Sequence, residues 1–247
     1  MAWTESVSPS FRTRYAERDT DDVARMVERL ERARERLDGL LGATPAEVTV
    51  VVHDTALGLS VAQPLVPLAR ALATPAARRY VAGWYGGASL HVLSPRLLRA
   101  RASNVPGSRE MLALAPAALY ARLAVGALNP SLPPPLTPGT ARAVLRWAWL
   151  AEGTASVLSG QSTHARPAVA RRLREGGRPA FPPGPRDALL LGGTLVDLLA
   201  AERGMPAVAR LARTRLRGND AGAVLQEAFG RPAGEVEAGW RARLRAL

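Results

Sequence analysis

The chain has 247 residues, 47% of them hydrophobic, enough to bury one large core or two closely packed parts. Cysteine is absent, which excludes a disulfide framework, a thiolate metal site and a thiol nucleophile. The net charge of +12 comes from 33 basic residues, all arginine, against 21 acidic ones, and it raises the question of a nucleic acid or an anionic surface as partner.

The distribution of those arginines argues against nucleic acid. They are spread along most of the chain, and the densest clusters, Arg171-Arg172-Arg174 and Arg241-Arg243-Arg245, fall on predicted helices where a solvated face accounts for them. Aromatic residues that would stack on bases do not interleave with them. The first residues, Met1-Ala2-Trp3-Thr4-Glu5-Ser6, lack a basic region followed by an apolar stretch, and no uncharged apolar run is long enough to span a bilayer. The expectation is a cytoplasmic protein without a membrane partner.

Phe11 to Tyr15 alternates large and polar residues and predicts the first strand. Acidic residues from Asp19 to Asp22 then open a helix, with Val23, Met26, Val27, Leu30, Leu37 and Leu41 at helical spacing until Gly42 ends it. Glu47 to His53 is a β-branched, largely apolar strand of the kind found in the middle of a sheet. Pro64, Pro67 and Pro75 break the apolar stretch Leu57 to Arg79 into short helices or turns. Tyr80 to Tyr85, Gly86-Gly87 and Ser89 to Leu93 predict a hairpin with a glycine turn.

From Pro95 onward the pattern is helical. Short helices are expected at 96–102 and 166–175, and longer ones at 108–128 and 140–159, with Pro116 either a break or the first turn of a second segment. Asn129 to Pro135 is a stiff loop between them. Gly176 to Pro185 is a second Pro/Gly-rich loop, and helices near 187–203, 205–216, 221–229 and 233–247 complete the chain. Strand, helix, strand and hairpin followed by helices describe an α+β fold: an α/β part at 1–106 with a small sheet and a helical part at 107–247, together one compact domain.

Trp149-Leu150-Ala151-Glu152-Gly153-Thr154-Ala155-Ser156 resembles the helix that supplies the glutamate zinc ligand in the peptidase MA-like gluzincin metallopeptidases. Gly193 to Leu199, Glu202-Arg203-Gly204, Phe229-Gly230-Arg231-Pro232 and Glu237-Ala238-Gly239-Trp240 are similar to the helical C-terminal part of the same family. The resemblance, which covers most of the chain from Phe11, implies a zincin-like fold. In that family a preceding helix carries His-Glu-x-x-His, two imidazoles one helical turn apart with a general-base glutamate. This chain has no such motif; its three histidines, His53, His91 and His164, are far apart in sequence.

The family order selects Pro116 to Leu123 as the equivalent helix. In one register Ala118 and Arg122 stand at the histidine positions and Leu119 at the general base; in the other Leu119 and Leu123 replace the histidines and Tyr120 the base. The tyrosine that often precedes the Gly193-Thr194 helix is replaced by Leu189 or Leu190. Glu152 is thus a remnant ligand, zinc is expected to be absent, and Tyr120, Arg122, Trp149, Glu152 and His91 are the candidate residues of an inherited cleft. His53 and His91, both on strands, are candidate neighbours in the sheet. Ser156, Ser159 and Ser162 near His164 lack the Gly-x-Ser-x-Gly elbow of a hydrolase.

A carboxylate left without its metal in a partly dry cleft needs protonation or a new cation, and Arg122 is the expected partner of Glu152, with Arg146 the alternative. The leading expectation is an inactive pseudo-gluzincin that serves as a binding or structural module for a protein or peptide. The alternatives are a hydrolase that uses atypical ligands or Glu152 without metal, and an arginine-driven nucleic-acid binder.

Overall fold

Phe11, Thr13 and Tyr15 are buried while Arg12 and Arg14 are exposed, so β2 (Phe11–Ala16) has one face in the core and one in water. The computed structural model describes residues 2–132, 138–216 and 220–247. β2 lies between β1 (Trp3–Val7), which is antiparallel to it, and β3 (Val48–His53), which is parallel. β3 in turn pairs in parallel with β5 (Ser89–Leu93), and β4 (Gly83–Gly86) closes the sheet antiparallel to β5. The order is β1-β2-β3-β5-β4, with the apolar β3 in the middle as its composition demands.

β1 was not expected from the sequence. Its residues alternate between exposed and half-buried, so neither face carries the apolar period by which a strand is read.

The register aligns Phe11 with Val48, Val50 with Leu90 and Leu90 with Tyr85, which gathers the buried side chains on one face. Against the sheet pack α1 (Thr20–Leu41), whose Val23, Met26, Leu30 and Leu37 are buried, and α6 (Ala115–Leu128), buried over most of its length. Gly42, at φ 77°, ends α1 as expected. A Cβ at Gly83 would meet the His91 carbonyl and come within 2.5 Å of Leu119 Cδ1, so glycine lets α6 approach β4. α2 (Ala56–Ala62) and α3 (Leu65–Leu72) are the short helices that the prolines impose, and α2 contacts β3 and β5.

α4 (Pro95–Ala100) and α5 (Ser108–Ala113) lead into α6, with the break at Leu114. Pro116 therefore lies in the first turn of a second segment, where its missing N–H costs nothing. The helix expected at 140–159 is two helices, α7 (Pro138–Arg146) and α8 (Ala148–Ser159), with Trp147 between them. The Pro133 to Pro135 part of the expected stiff loop lies outside the described residues.

α6 and α8 pack side by side, as the apolar content of both requires. After α9 (Arg166–Arg174), the segment expected as one helix at 187–203 begins with a π-helical turn, Ala188–Gly192, and continues as α10 (Gly193–Arg203). This turn lies against α8: a Cβ on Gly153 would come 2.5 Å from the Gly192 carbonyl. α11 (Met205–Arg213), α12 (Ala221–Phe229) and α13 (Ala233–Arg245) complete the helical part, where Trp240 Nε1 donates to Thr194 Oγ1 at 2.8 Å. One cluster of buried side chains runs from Phe11 in the sheet to Leu244 in α13.

The solvated-face reading of the arginine clusters needs one correction. Arg172 is buried, with a bidentate ion pair to Asp187 and a bond from Nη1 to the Gly176 carbonyl at 2.9 Å. Asp187 sits just before the π-helical turn, so this pair ties α9 to the segment that supports α8.

Candidate functional site

α6 places Ala118, Leu119 and Arg122 along one wall of a cavity of about 190 Å³, and α8 places Glu152 there with them. The Arg122 guanidinium forms an ion pair with the Glu152 carboxylate, the two side chains being 14% and 21% exposed. The pair bridges the two central helices. Burial draws the Arg122 guanidinium down to about 10, an effect that the nearby Tyr85 phenol opposes. Burial in turn pushes the Tyr85 phenol up. Arg122 Nε is buried and makes no hydrogen bond.

The remaining walls are largely apolar. α3 supplies Leu65, Leu68, Ala69 and Leu72, the sheet edge supplies Gly83 and Trp84, and Leu145, Ala148 and Leu189 come from the helical part. Leu68, Leu72 and Leu145 stay substantially exposed, so the cavity opens onto an apolar rim. The α3 contribution was not read from the sequence, although Leu65, Leu68, Ala69 and Leu72 follow the i, i+3, i+4, i+7 spacing of a helical face. The prolines on either side of it masked that signal. Leu189, one of the two residues named for the missing tyrosine, is at the cavity, whereas Leu190 is buried in the core.

Ala118, Leu119 and Arg122 all line the cavity, whereas Leu123, named in the other register, is buried in the core. Tyr120 does not line the cleft. It is on the opposite side of α6, edge-on to Phe11 with ring centroids 5.3 Å apart, and its hydroxyl donates to the Pro45 carbonyl at 2.7 Å. Consecutive helical residues point about 100° apart, so a helix that aims Leu119 and Arg122 into the cavity aims Tyr120 at the sheet. Trp149 is also core rather than cleft: it is buried beside Trp147, one helical turn before Gly153.

His91 is away from the cavity as well. The register puts it beside Val51 and Trp84 on the sheet face opposite Leu90 and Val92, where its Nδ1 lies 3.0 Å from His53 Nε2. The two histidines are thus sheet neighbours, with one nitrogen donating and the other accepting. Burial, and next the proximity of His91, push His53 down to about 4, while Asp54 opposes the shift; burial also lowers His91. His164 ends a 3-10 turn ahead of α9. Among the described residues, no group of three or more His, Cys, Asp or Glu side chains is placed to hold a metal ion.

The donor set beside Glu152 does not fit zinc. Alanine and leucine offer no lone pair, and the Arg122 cation beside the carboxylate repels a second cation where the family resemblance requires two imidazoles. A largely apolar pocket with a linked donor and acceptor in its lining suits a group that presents both a carbonyl and an N–H. No protein-family model, curated protein or solved structure matches the chain, so the gluzincin resemblance rests on the quoted sequence motifs alone.

Proposed function

We propose that this chain is a catalytically inactive, gluzincin-like protein of the cytoplasm whose cleft binds an extended segment of a peptide or protein, without zinc and without nucleic acid. The observation that carries the reading is the Arg122–Glu152 pair. It neutralises the one carboxylate that the resemblance assigns to a metal and leaves a polar anchor in the lining of a largely apolar cavity.

The position of β4 supports the same reading. It is the terminal strand of the sheet and its residues Gly83 and Trp84 border the cavity, so an added chain could pair with its free edge while an apolar side chain fills the space between Leu68 and Leu119. Among the described residues no helix is long and apolar enough to cross a membrane.

Two measurements test this. Protein purified without chelators is expected to carry far less than one zinc per chain; stoichiometric zinc that disappears in Glu152→Gln would overturn the reading. Selection of displayed random peptides against the full chain is expected to yield apolar sequences whose binding is lost in Ala118→Trp, which fills the cavity. Selected peptides that bind that variant unchanged would place the binding surface elsewhere.

A further inference from the structure

Several arginines near the first helix and the adjoining loops face a carboxylate: Arg18 pairs with Asp54, Arg96 with Asp19 and Arg99 with Asp22. Arg70, Arg79 and Arg101 do not. Arg70 Nε and Arg101 Nη1 both donate to the carbonyl of Val81, at 3.1 and 3.2 Å, and Arg79 Nη1 donates to the carbonyl of Arg101 at 3.4 Å. Among the described residues none of the three forms an ion pair. All three are half-buried, which leaves them within reach of a solute, and Arg70 Nη2 is buried with no hydrogen-bond partner at all.

This arrangement is costly for a structural device. A guanidinium is a fork of several donors, yet the protein engages one donor on each of Arg70, Arg79 and Arg101. Sharing the Val81 oxygen holds two of the cations side by side, and a third comes against the main chain of one of them. Burial draws the Arg101 guanidinium down to about 10, and the fields of Arg70 and Arg79 add to the effect. Three like charges gathered in partial burial favour an anion between them, and among the described residues no carboxylate pairs with any of the three.

We propose that Arg70, Arg79 and Arg101 form an anion site that takes a phosphate group. A phosphate presents several oxygens to guanidinium forks and carries the charge that the cluster lacks, whereas chloride offers one point and no directional acceptors. The site contains neither Arg122 nor Glu152 and is independent of the reading of the cleft, although Val81 belongs to both surroundings.

Titration of the full chain with inorganic phosphate, at ionic strength held constant with chloride, is the test. One phosphate per chain is expected, together with a rise in Tm that chloride alone does not produce. Arg79→Gln should weaken binding about tenfold or more, because it removes one charged fork from the site, and Arg101→Gln should do the same. Arg174→Gln, the same charge change at an exposed position of α9, should leave the affinity within about twofold.

Phenyl phosphate separates the sources: tighter binding than inorganic phosphate identifies a phosphate carried on a larger molecule, and equal or weaker binding identifies the free ion. Should Arg101→Gln fail to fold, the wild-type titration and Arg79→Gln, whose bond in the cluster is the longest, decide the matter. Phosphate binding no tighter than chloride, or an equal loss in Arg174→Gln and Arg79→Gln, overturns the proposal.

Discussion

Arg122 on α6 and Glu152 on α8 meet as an ion pair in the lining of a largely apolar cavity, joining two largely buried helices. Removing one member strands the other charge away from water, which costs more than the pair itself contributes. Arg122→Ala should therefore destabilise the protein by about 3 kcal/mol in urea unfolding, and Glu152→Ala by a similar amount. The double change Arg122→Leu with Glu152→Leu should restore most of that loss, since well-packed apolar residues need no partner. Stability unchanged by Arg122→Ala would mean that water already solvates both groups.

A second prediction concerns the residue next to Glu152. Gly153 sits in the middle of α8, where alanine would ordinarily favour the helix by up to about 1 kcal/mol. Here the added methyl would lie 2.5 Å from the Gly192 carbonyl and 2.7 Å from Val196 Cγ2, and the nearer obstacle is backbone that cannot rotate aside. Overpacking should win. Gly153→Ala is expected to cost about 2 kcal/mol net, seen as a lower Tm, and to widen the gap between α8 and the π-helical turn. An unchanged or raised Tm would show that the two segments separate freely.

The sheet and the site were legible to different depths. The β-branched run at Val48–His53 and the Gly86-Gly87 turn announced β3 and the hairpin, because burial and turn chemistry leave marks on adjacent residues. β1 left no such mark, having no buried face, and the break at Trp147 was hidden because the apolar period continues across it. Arg122 could be named only through the register that a family resemblance supplied. The α3 wall of the cavity and the arginine cluster on Val81 arise from segments brought together by folding, and no local pattern encodes such a meeting. The same holds for Arg172, which reads as one more arginine on an arginine-rich helix and is instead the buried partner of Asp187.

That buried pair should be among the more sensitive positions in the helical part. Arg172 uses both arms of its fork on Asp187 and a third donor on the Gly176 carbonyl, a geometry that a lysine cannot reproduce. Arg172→Ala is expected to cost about 3 kcal/mol, and Arg172→Lys should recover only part of it although the charge is kept. Full recovery by lysine would reduce the role of Arg172 to that of a point charge.

The last prediction is a pH dependence set by the two histidines that face each other across β3 and β5. His53 is held to about 4 in the folded protein, against an ordinary value of 6.5, and His91 is lowered as well, both chiefly by burial. A lowered value means that the folded state refuses protons that the unfolded chain accepts. Stability from this source is therefore fully present above about pH 6.5 and is lost progressively as the pH falls toward 4. The carboxylates held low, Asp22 and Glu31, act in the same direction but below their ordinary values of 3.8 and 4.5, so the interval from pH 6.5 to about 5 isolates the histidines. Within it, His53 alone should cost about 2 kcal/mol by pH 5, measured as a fall in the unfolding free energy from its value at pH 7. His53→Gln cannot take up the proton and should flatten that slope, leaving only the share due to His91. A slope unchanged in His53→Gln would mean that His53 takes up its proton equally in the folded and unfolded states and that other groups set the dependence.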